Sequence, residues 1–316
     1  MGEHPGHAIG KTVVIAHLSD PHLTTPVVDA PWRLGAKRWL GYLSWLRKRR
    51  HRHQRAVLEA VVADIRAARP DHWLVSGDLT HLGFAEECAE AEAWLRTLAP
   101  PAQVTVIPGN HDCLVQDDWI ATVGRWQDFL CGAPGGGAAT FPGIRRLGDV
   151  AIIGVNSAVP TRLLFADGRV GGDQRDALER LLVELGEQGV FRLVLMHHSP
   201  LASGHPWRKR LRDAAAFEAL LDRAGAELVV HGHGHQEAVS ARDTGAGALP
   251  IIGAPSASMR GDAGWNLLEI TPTKRGWQVA LTARRHREPG AIAEHCVTWQ
   301  LVRTHATHGG ELSSSD

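Results

Sequence analysis

The chain has 316 residues, of which 44% are hydrophobic, and its 34 basic residues are balanced by 34 acidic ones. This length suits one large α/β domain with a buried core, and the balanced charge gives no reason to expect a nucleic-acid partner. No apolar run approaches the roughly 20 residues of a membrane-spanning helix, Met1 to Lys11 lack the core of a signal peptide, and the four cysteines form no CxxC pair. We therefore expect a cytoplasmic protein with a flexible N-terminus over residues 1–11.

In the first half of the chain, short apolar runs alternate with segments of helical periodicity. Strands are predicted at Thr12 to Leu18, Trp73 to Val75 and Val104 to Ile107. Helices are predicted at Arg52 to Arg69, Glu86 to Leu98 and Asp118 to Leu130. A glycine-rich loop follows at Gly132 to Ala139.

The second half continues the alternation and then becomes richer in strands. Strands are predicted at Ile144 to Leu147, Val150 to Val155, Arg192 to Met196, Glu227 to Val230, Leu249 to Ile252, Trp265 to Ile270 and Trp277 to Thr282. Helices are predicted at Asp173 to Leu185 and Ala214 to Ala224. We expect one domain over residues 12–283 and a partly disordered extension over 284–316, in which Cys296 to Val302 adds one edge strand.

Residues 31–55 form an insert that is rich in tryptophan and arginine and contains no acidic residue. Its apolar side chains recur at near-helical spacing, which predicts one or two amphipathic helices. One interpretation is a cap over the core with a solvated basic face. The other is a binding surface for an anionic, partly hydrophobic substrate or for anionic lipid headgroups, which would bring the protein to the inner membrane face.

Groups able to bind metals follow five of the predicted strands. They occur in the segments Asp20-Pro21-His22, Gly77-Asp78, Gly109-Asn110-His111-Asp112, His197-His198 and Gly232-His233-Gly234-His235. The carboxyl ends of strands are where α/β proteins gather their chemistry, so we expect these side chains to converge. Carboxylate and amide oxygens together with imidazoles suit Mn, Fe or Zn.

These motifs, complete and in order, resemble the calcineurin-like metallophosphoesterase superfamily over roughly Val13 to Leu281. The resemblance implies an α/β (α+β) fold, a four-layer αββα sandwich of two mixed sheets flanked by helices. It also implies two divalent or trivalent ions and attack on phosphorus by a metal-bridging hydroxide. Asp20, His22 and His235 would hold one ion, Asn110, His197 and His233 the other, and Asp78 would bridge them.

The resemblance also assigns catalytic groups that do not bind metal. His111 would protonate the leaving oxygen or bind the transferring phosphoryl group, and Asp112 would orient His111. The sequence does not decide whether His197 or His198 is the ligand. His198, His205 and Arg208 are candidate substrate contacts.

Three functions remain open on the sequence. The first is hydrolysis of a small phosphodiester, since the chain resembles bacterial cyclic-nucleotide phosphodiesterases. The second is cleavage of a lipid-linked nucleotide at the membrane surface, in the manner of UDP-diacylglucosamine pyrophosphohydrolases, which the insert favours. The third is a metal-free binding scaffold, which the complete ligand set disfavours.

Overall fold

The computed structural model describes residues 10–131, 141–244, 247–287 and 291–302. Its strands form two six-stranded mixed sheets, with the orders β12-β11-β10-β1-β2-β3 and β4-β5-β6-β7-β9-β8. The strands are β1 Val13–Leu18, β2 His72–Val75, β3 Val104–Val106, β4 Gly143–Leu147, β5 Val150–Gly154, β6 Phe191–Leu195, β7 Leu228–His231, β8 Ala238–Thr244, β9 Gly247–Gly253, β10 Ala263–Thr273, β11 Gly276–Arg287 and β12 Ala291–Val302. The helices are α1 Ala36–Ser44, α2 Arg50–Arg52, α3 Arg55–Ala68, α4 Ala85–Leu98, α5 Gly172–Glu187 and α6 Ala214–Ala224.

The predicted four-layer arrangement is confirmed. Alternating residues of a strand face opposite sides of its sheet, and β1 shows the result: Ile15 packs in the core between the sheets, whereas Ala16 and Leu18 pack against α3 and α4. The second sheet buries its outer face against α5 and α6 through Leu182 and Phe217. The helices therefore cover the two outer faces of the sandwich.

Parallel pairing brings the polar motifs to one edge of the molecule. In the first sheet β1 runs parallel to β2 and β2 to β3, and in the second sheet β5, β6, β7 and β9 pair in parallel. The motifs that begin at Asp20, Asp78, Asn110, His197 and His233 follow β1, β2, β3, β6 and β7. Both sheets thus deliver their functional side chains from carboxyl ends.

One predicted helix is wrong. In place of a helix from Asp118 to Leu130, the chain forms turns and a short 3-10 helix at Val123–Trp126. The Thr122 hydroxyl donates to the Asp118 carbonyl at 2.7 Å, a side-chain bond of the kind that competes with regular helix. Val123 and Trp126 are nonetheless buried, which explains the helix-like apolar pattern.

The predicted C-terminal boundary at residue 283 falls inside β11, which runs from Gly276 to Arg287. β11 and β12 form an antiparallel ladder from Gly276 paired with Val302 to Arg287 paired with Ala291. The predicted edge strand exists, but it begins at Ala291 rather than Cys296. β8 was not predicted, since it is a partly polar edge strand in which no residue is fully buried. The predicted disorder beyond residue 302, the loop at 132–140 and residues 1–9 lie outside the described residues.

The insert forms the predicted helical cap. After a 3-10 turn at Pro31–Arg33, α1 runs into a π-helical turn at Trp45–Arg49 and then into α2. Polar contacts hold the cap down: Lys37 Nζ donates to the Thr161 carbonyl at 2.8 Å, and Arg38 donates to the carbonyls of Leu82 and Gly83 at 3.1 and 2.9 Å. Within the described parts of the chain, no helix has the length and apolar character needed to cross a bilayer.

Candidate metal centre

The backbone is strained at the strand ends where the motifs lie. Five predicted ligands adopt left-handed backbone conformations, with φ between 38° and 65°: Asp20, His22, Asp78, His233 and His235. Residues other than glycine rarely adopt this region, and such strain gathers at functional sites. Gly77 and Gly109 pack so closely that a Cβ atom on Gly77 would lie 2.5 Å from the Gly109 nitrogen, so the loops after β2 and β3 meet only because both residues are glycines.

The first group of donor atoms comes from Asp20, His22, Asp78 and His235, whose ligand atoms all lie within 4.8 Å of one another. His235 Nε2 is 3.1 Å from Asp20 Oδ1. His22 Nδ1 donates to the Thr80 carbonyl at 3.0 Å, and a carbonyl oxygen can only accept. The lone pair of His22 therefore lies on Nε2, which faces the group.

The second group contains His197, His198 and His233, again with ligand atoms within 4.8 Å of one another. His197 Nδ1 donates to the Ser76 carbonyl at 2.6 Å. Its other ring nitrogen, Nε2, therefore faces the centre, 3.2 Å from Asn110 Oδ1. The structure thus brings Asn110 to the same place as the imidazoles.

The two neighbouring histidines differ in what their rings contact. His198 Nε2 donates to the Ala166 carbonyl at 3.3 Å, and its Nδ1 accepts from the Ser157 hydroxyl at 2.9 Å. Both nitrogens of His198 are therefore used by the surrounding protein, whereas Nε2 of His197 faces the centre. This geometry favours His197 as the ligand.

Asp78 lies between the two groups. Its Oδ2 is 3.8 Å from His22 Nε2 of the first group and 3.5 Å from His197 Nε2 of the second. Burial opposes the shift, but the Asp78 carboxylate raises the pKa of His197 to about 9. This carboxylate therefore favours a positive charge at the place where a cation would bind.

The donor set fits metal ions. Nε2 of His22 and Nε2 of His233 are buried and have no hydrogen-bond partner among the described residues, although buried polar atoms normally have one. Burial lowers the pKa of both imidazoles well below the ordinary value, so both rings are in the neutral form that binds metals. Unpartnered imidazole nitrogens beside two carboxylates are the groups that bound cations would satisfy.

His111 lies at the edge of this centre. Its backbone N–H donates to Asp78 Oδ1 at 2.7 Å, and its Nδ1 lies 2.8 Å from the carbonyl oxygen of His81. Burial and then the positive charge of Arg49 lower the pKa of His111 to about 4.

Among the described residues, the hydrogen bonds of the Asp112 carboxylate go to groups other than the His111 side chain, and its orienting role stays a prediction. Asp112 Oδ2 accepts from the backbone N–H groups of Asp78 and Gly109, both at 2.8 Å, and Oδ1 accepts from the N–H and hydroxyl of Thr80, both at 2.9 Å. These four bonds use the whole carboxylate. Asp112 therefore joins the loops after β2 and β3.

His205 and Arg208 have no contact with the predicted ligands among the described residues. The His205 ring lies 6.5 Å from that of His231, and the Arg208 guanidinium packs over Trp207 and Phe165, at 5.1 and 5.7 Å from the ring centroids. A substrate role for either residue stays a prediction.

Sequence reasoning missed three residues beside the centre. The insert supplies Arg49, whose Nη1 lies 2.8 and 3.1 Å from the two ring nitrogens of His111, and the loop after β2 supplies His81. The ring of His53, which follows α2 at the same end of the insert as Arg49, is 4.3 Å from that of His22. For Arg49 and His53, the only available signal was the presence of histidines and arginines in the insert, which does not predict where a side chain points.

Comparison with known proteins agrees with this geometry. The family model described as calcineurin-like phosphoesterase matches residues 13–237. The chain belongs to this family. It is therefore a member of a phosphoesterase family with a potential metal site.

Two curated relatives carry more specific names. The chain is 30% identical over 221 residues, covering 67% of its length and 77% of the relative, to a probable cyclic nucleotide phosphodiesterase from Synechococcus. It is 29% identical over 188 residues, covering 56% and 61% of the two chains, to a 3′,5′-cyclic-nucleotide phosphodiesterase from Nostoc.

Solved structures share the fold at low identity. A dimetal phosphatase from Danio rerio has a TM-score of 0.55 at 11% identity and covers 91% of this chain and 99% of its own. GAP50, named as the anchor in the inner membrane complex of Plasmodium, has a TM-score of 0.51 at 13% identity, with 92% and 89% covered. These likenesses support the fold.

Proposed function

We propose that the chain is a metal-dependent phosphodiesterase acting on a small phosphodiester, with a cyclic nucleotide such as cyclic AMP as the first candidate substrate. The observation that carries this proposal is the position of Asp78 Oδ2 between His22 Nε2 and His197 Nε2, at 3.8 and 3.5 Å. The names of the two curated relatives support the substrate class.

The proposed ligand sets follow the two groups of donor atoms. Asp20, His22 and His235 hold one ion; Asn110, His197 and His233 hold the other; and Asp78 contacts both. Mn, Fe or Zn suits this set of oxygen and imidazole donors. When bound, such a metal pair supplies Lewis acidity and lowers the pKa of a bound water.

The remaining roles belong to the protein itself. His111 lies beside Asp78, where its side chain can hold the transferring phosphoryl group or give a proton to the leaving oxygen. Asp112 fixes the loops that carry Asp78, Asn110 and His111. His198 supports its neighbour through Ser157 and Ala166.

A substrate panel tests the proposal. Manganese-loaded protein would be assayed on cyclic AMP, a glycerophosphodiester and UDP-diacylglucosamine, with the Asp78→Ala variant as the control for contaminating hydrolases. We expect cyclic AMP to be hydrolysed with the highest kcat/KM. Preference for the lipid-linked substrate would select the second function, and no hydrolysis together with no bound metal would select the scaffold.

The lipid-linked alternative rests on the exposed apolar residues of the cap. Trp32 is 81% exposed and Trp39 39% exposed, and exposed Arg47 and Lys48 lie on the same insert. Tryptophan with basic residues is typical of contact with anionic membranes, which would place the protein at the inner membrane face. Co-sedimentation with phosphatidylglycerol vesicles tests this: Trp32→Ala should bind less than wild type, and equal binding would remove the alternative.

A further inference from the structure

Arg49 reaches from the insert into the candidate metal centre. It is the last residue of the π-helical turn Trp45–Arg49, and its Nη2 donates to the Gly41 carbonyl of the same insert at 2.8 Å. The opposite nitrogen, Nη1, lies against the edge of the His111 ring. The cap therefore holds the guanidinium from behind and presents it to the centre.

The charge of Arg49 has no direct counterpart. Among the described residues, no carboxylate oxygen lies within 4.0 Å of its guanidinium nitrogens, whereas Arg38 of the same insert pairs with Asp117. Its Nε is buried and lacks a hydrogen-bond partner in the described part of the chain. Burying an unpaired cation is costly, and arginine stays protonated in proteins, so the site favours an incoming anion.

The carboxylates whose charges act on Arg49 are those of Asp78 and Glu87, and neither can supply that anion. Asp78 accepts the His111 N–H and lies between the two donor groups, where metal ions would engage it. Glu87 accepts hydrogen bonds from the backbone N–H groups of His81, Leu82 and Phe84. The ions would add positive charge beside Arg49, which increases the need for an anionic ligand.

We propose that Arg49 is a substrate-binding residue contributed by the insert, whose guanidinium contacts a non-bridging phosphoryl oxygen next to His111. This inference rests on the proposed phosphodiesterase function. Through Arg49, the insert would contact the phosphoryl group of any phosphoester, in addition to any part it has in recognising the rest of the substrate. Arginine suits the task because its planar array of N–H donors matches phosphate oxygens.

Inorganic phosphate is the probe for this role because its binding does not require turnover. We would measure phosphate binding to the manganese-loaded full chain by calorimetry, together with manganese content, for wild type, Arg49→Ala and Arg49→Gln. Arg47→Ala is the matched control, since Arg47 is an exposed arginine of the same turn.

Arg49→Ala should weaken phosphate binding by roughly 10- to 100-fold, the scale of a hydrogen bond to a charged group, and should lower kcat/KM for bis-p-nitrophenyl phosphate, while manganese content stays unchanged. Arg47→Ala should match wild type. Arg49→Gln keeps a polar side chain at this position and removes only the guanidinium, so it decides the question if the alanine variant does not fold. Wild-type phosphate affinity in either variant overturns the Arg49 role, whereas a wild type that binds no manganese overturns the proposed function instead.

Discussion

The carboxylate of Asp112 accepts a hydrogen bond from the backbone N–H of Asp78 at 2.8 Å. The same carboxylate binds Gly109 and Thr80, so one buried side chain fixes the loops after β2 and β3. Burial and the nearby Asp78 raise the pKa of Asp112 to about 7. The position of Asp78 between the two donor groups therefore depends on a residue that belongs to neither group.

Asp112→Asn should weaken this link between the two loops, because the new amide group points N–H donors toward backbone N–H groups that the carboxylate had accepted from. We expect the free energy of unfolding to fall by about 1–3 kcal/mol, the cost of leaving buried groups unsatisfied, and manganese content to fall with it. Urea denaturation and elemental analysis measure both. Normal stability and metal content with reduced turnover would indicate that Asp112 acts directly on His111.

His111→Ala should reduce turnover and leave the metals in place. A loss of roughly 10²–10⁴-fold in kcat is the usual scale for acid–base catalysis, and the ring of His111 is outside both groups of donor atoms. Steady-state kinetics on bis-p-nitrophenyl phosphate and elemental analysis give the two values. Loss of metal from this variant would contradict the assignment.

His197 and His198 form a matched pair for testing the ligand assignment. His197→Ala should lower manganese content, because the variant lacks the imidazole nitrogen, Nε2, that faces the centre beside Asp78. His198→Gln should retain most of the metal, since its ring binds Ser157 and Ala166 instead. Elemental analysis of the two purified variants decides between them, and the reverse pattern would reassign the ligand.

Asp64, on α3, binds side chains of the two neighbouring strands β10 and β11. It accepts from Trp265 Nε1 at 2.8 Å and from Arg284 Nε and Nη2 at 2.8 and 2.7 Å. Burial opposes the shift, but these hydrogen bonds lower the pKa of Asp64 below its ordinary value. Because the folded pKa is depressed, the stabilisation is complete above the unfolded pKa of about 3.9 and is lost as the pH falls through the folded pKa.

Asp64→Asn should therefore be less stable than wild type at pH 7, by about 1–3 kcal/mol for bonds to charged groups. The difference in the free energy of unfolding should narrow as the pH falls below about 4. Urea denaturation across this range measures it, with the exposed Asp243→Asn as a control expected to match wild type. A difference that does not change with pH would mean that the ion pair is not its source.

The sequence predicted the sheets and the ligand segments because both have strong local signals. Buried strands such as Val150–Gly154 are short apolar runs, and the motifs directly follow strands. Exposed β8 lacks that apolar run, and the turns around Val123–Trp126 have a helix-like pattern of burial without the backbone bonds of a helix.

The sequence could not predict which side chains meet from distant segments. Arg49 is one of several arginines in the insert, and only the docking of the cap through Lys37 and Arg38 directs it toward His111. Likewise, the motif that contains Asp112 does not reveal that its carboxylate is used by backbone donors from two loops. Such contacts depend on tertiary structure.

The metal content of wild type and Asp78→Ala tests the central claim most directly. After loading with manganese and desalting, wild type should retain about two ions per chain, as a two-metal site requires, and Asp78→Ala should lose most of both because the shared carboxylate is gone. A wild type that retains no manganese, or an Asp78→Ala variant that retains as much as wild type, would contradict a metal pair joined by Asp78.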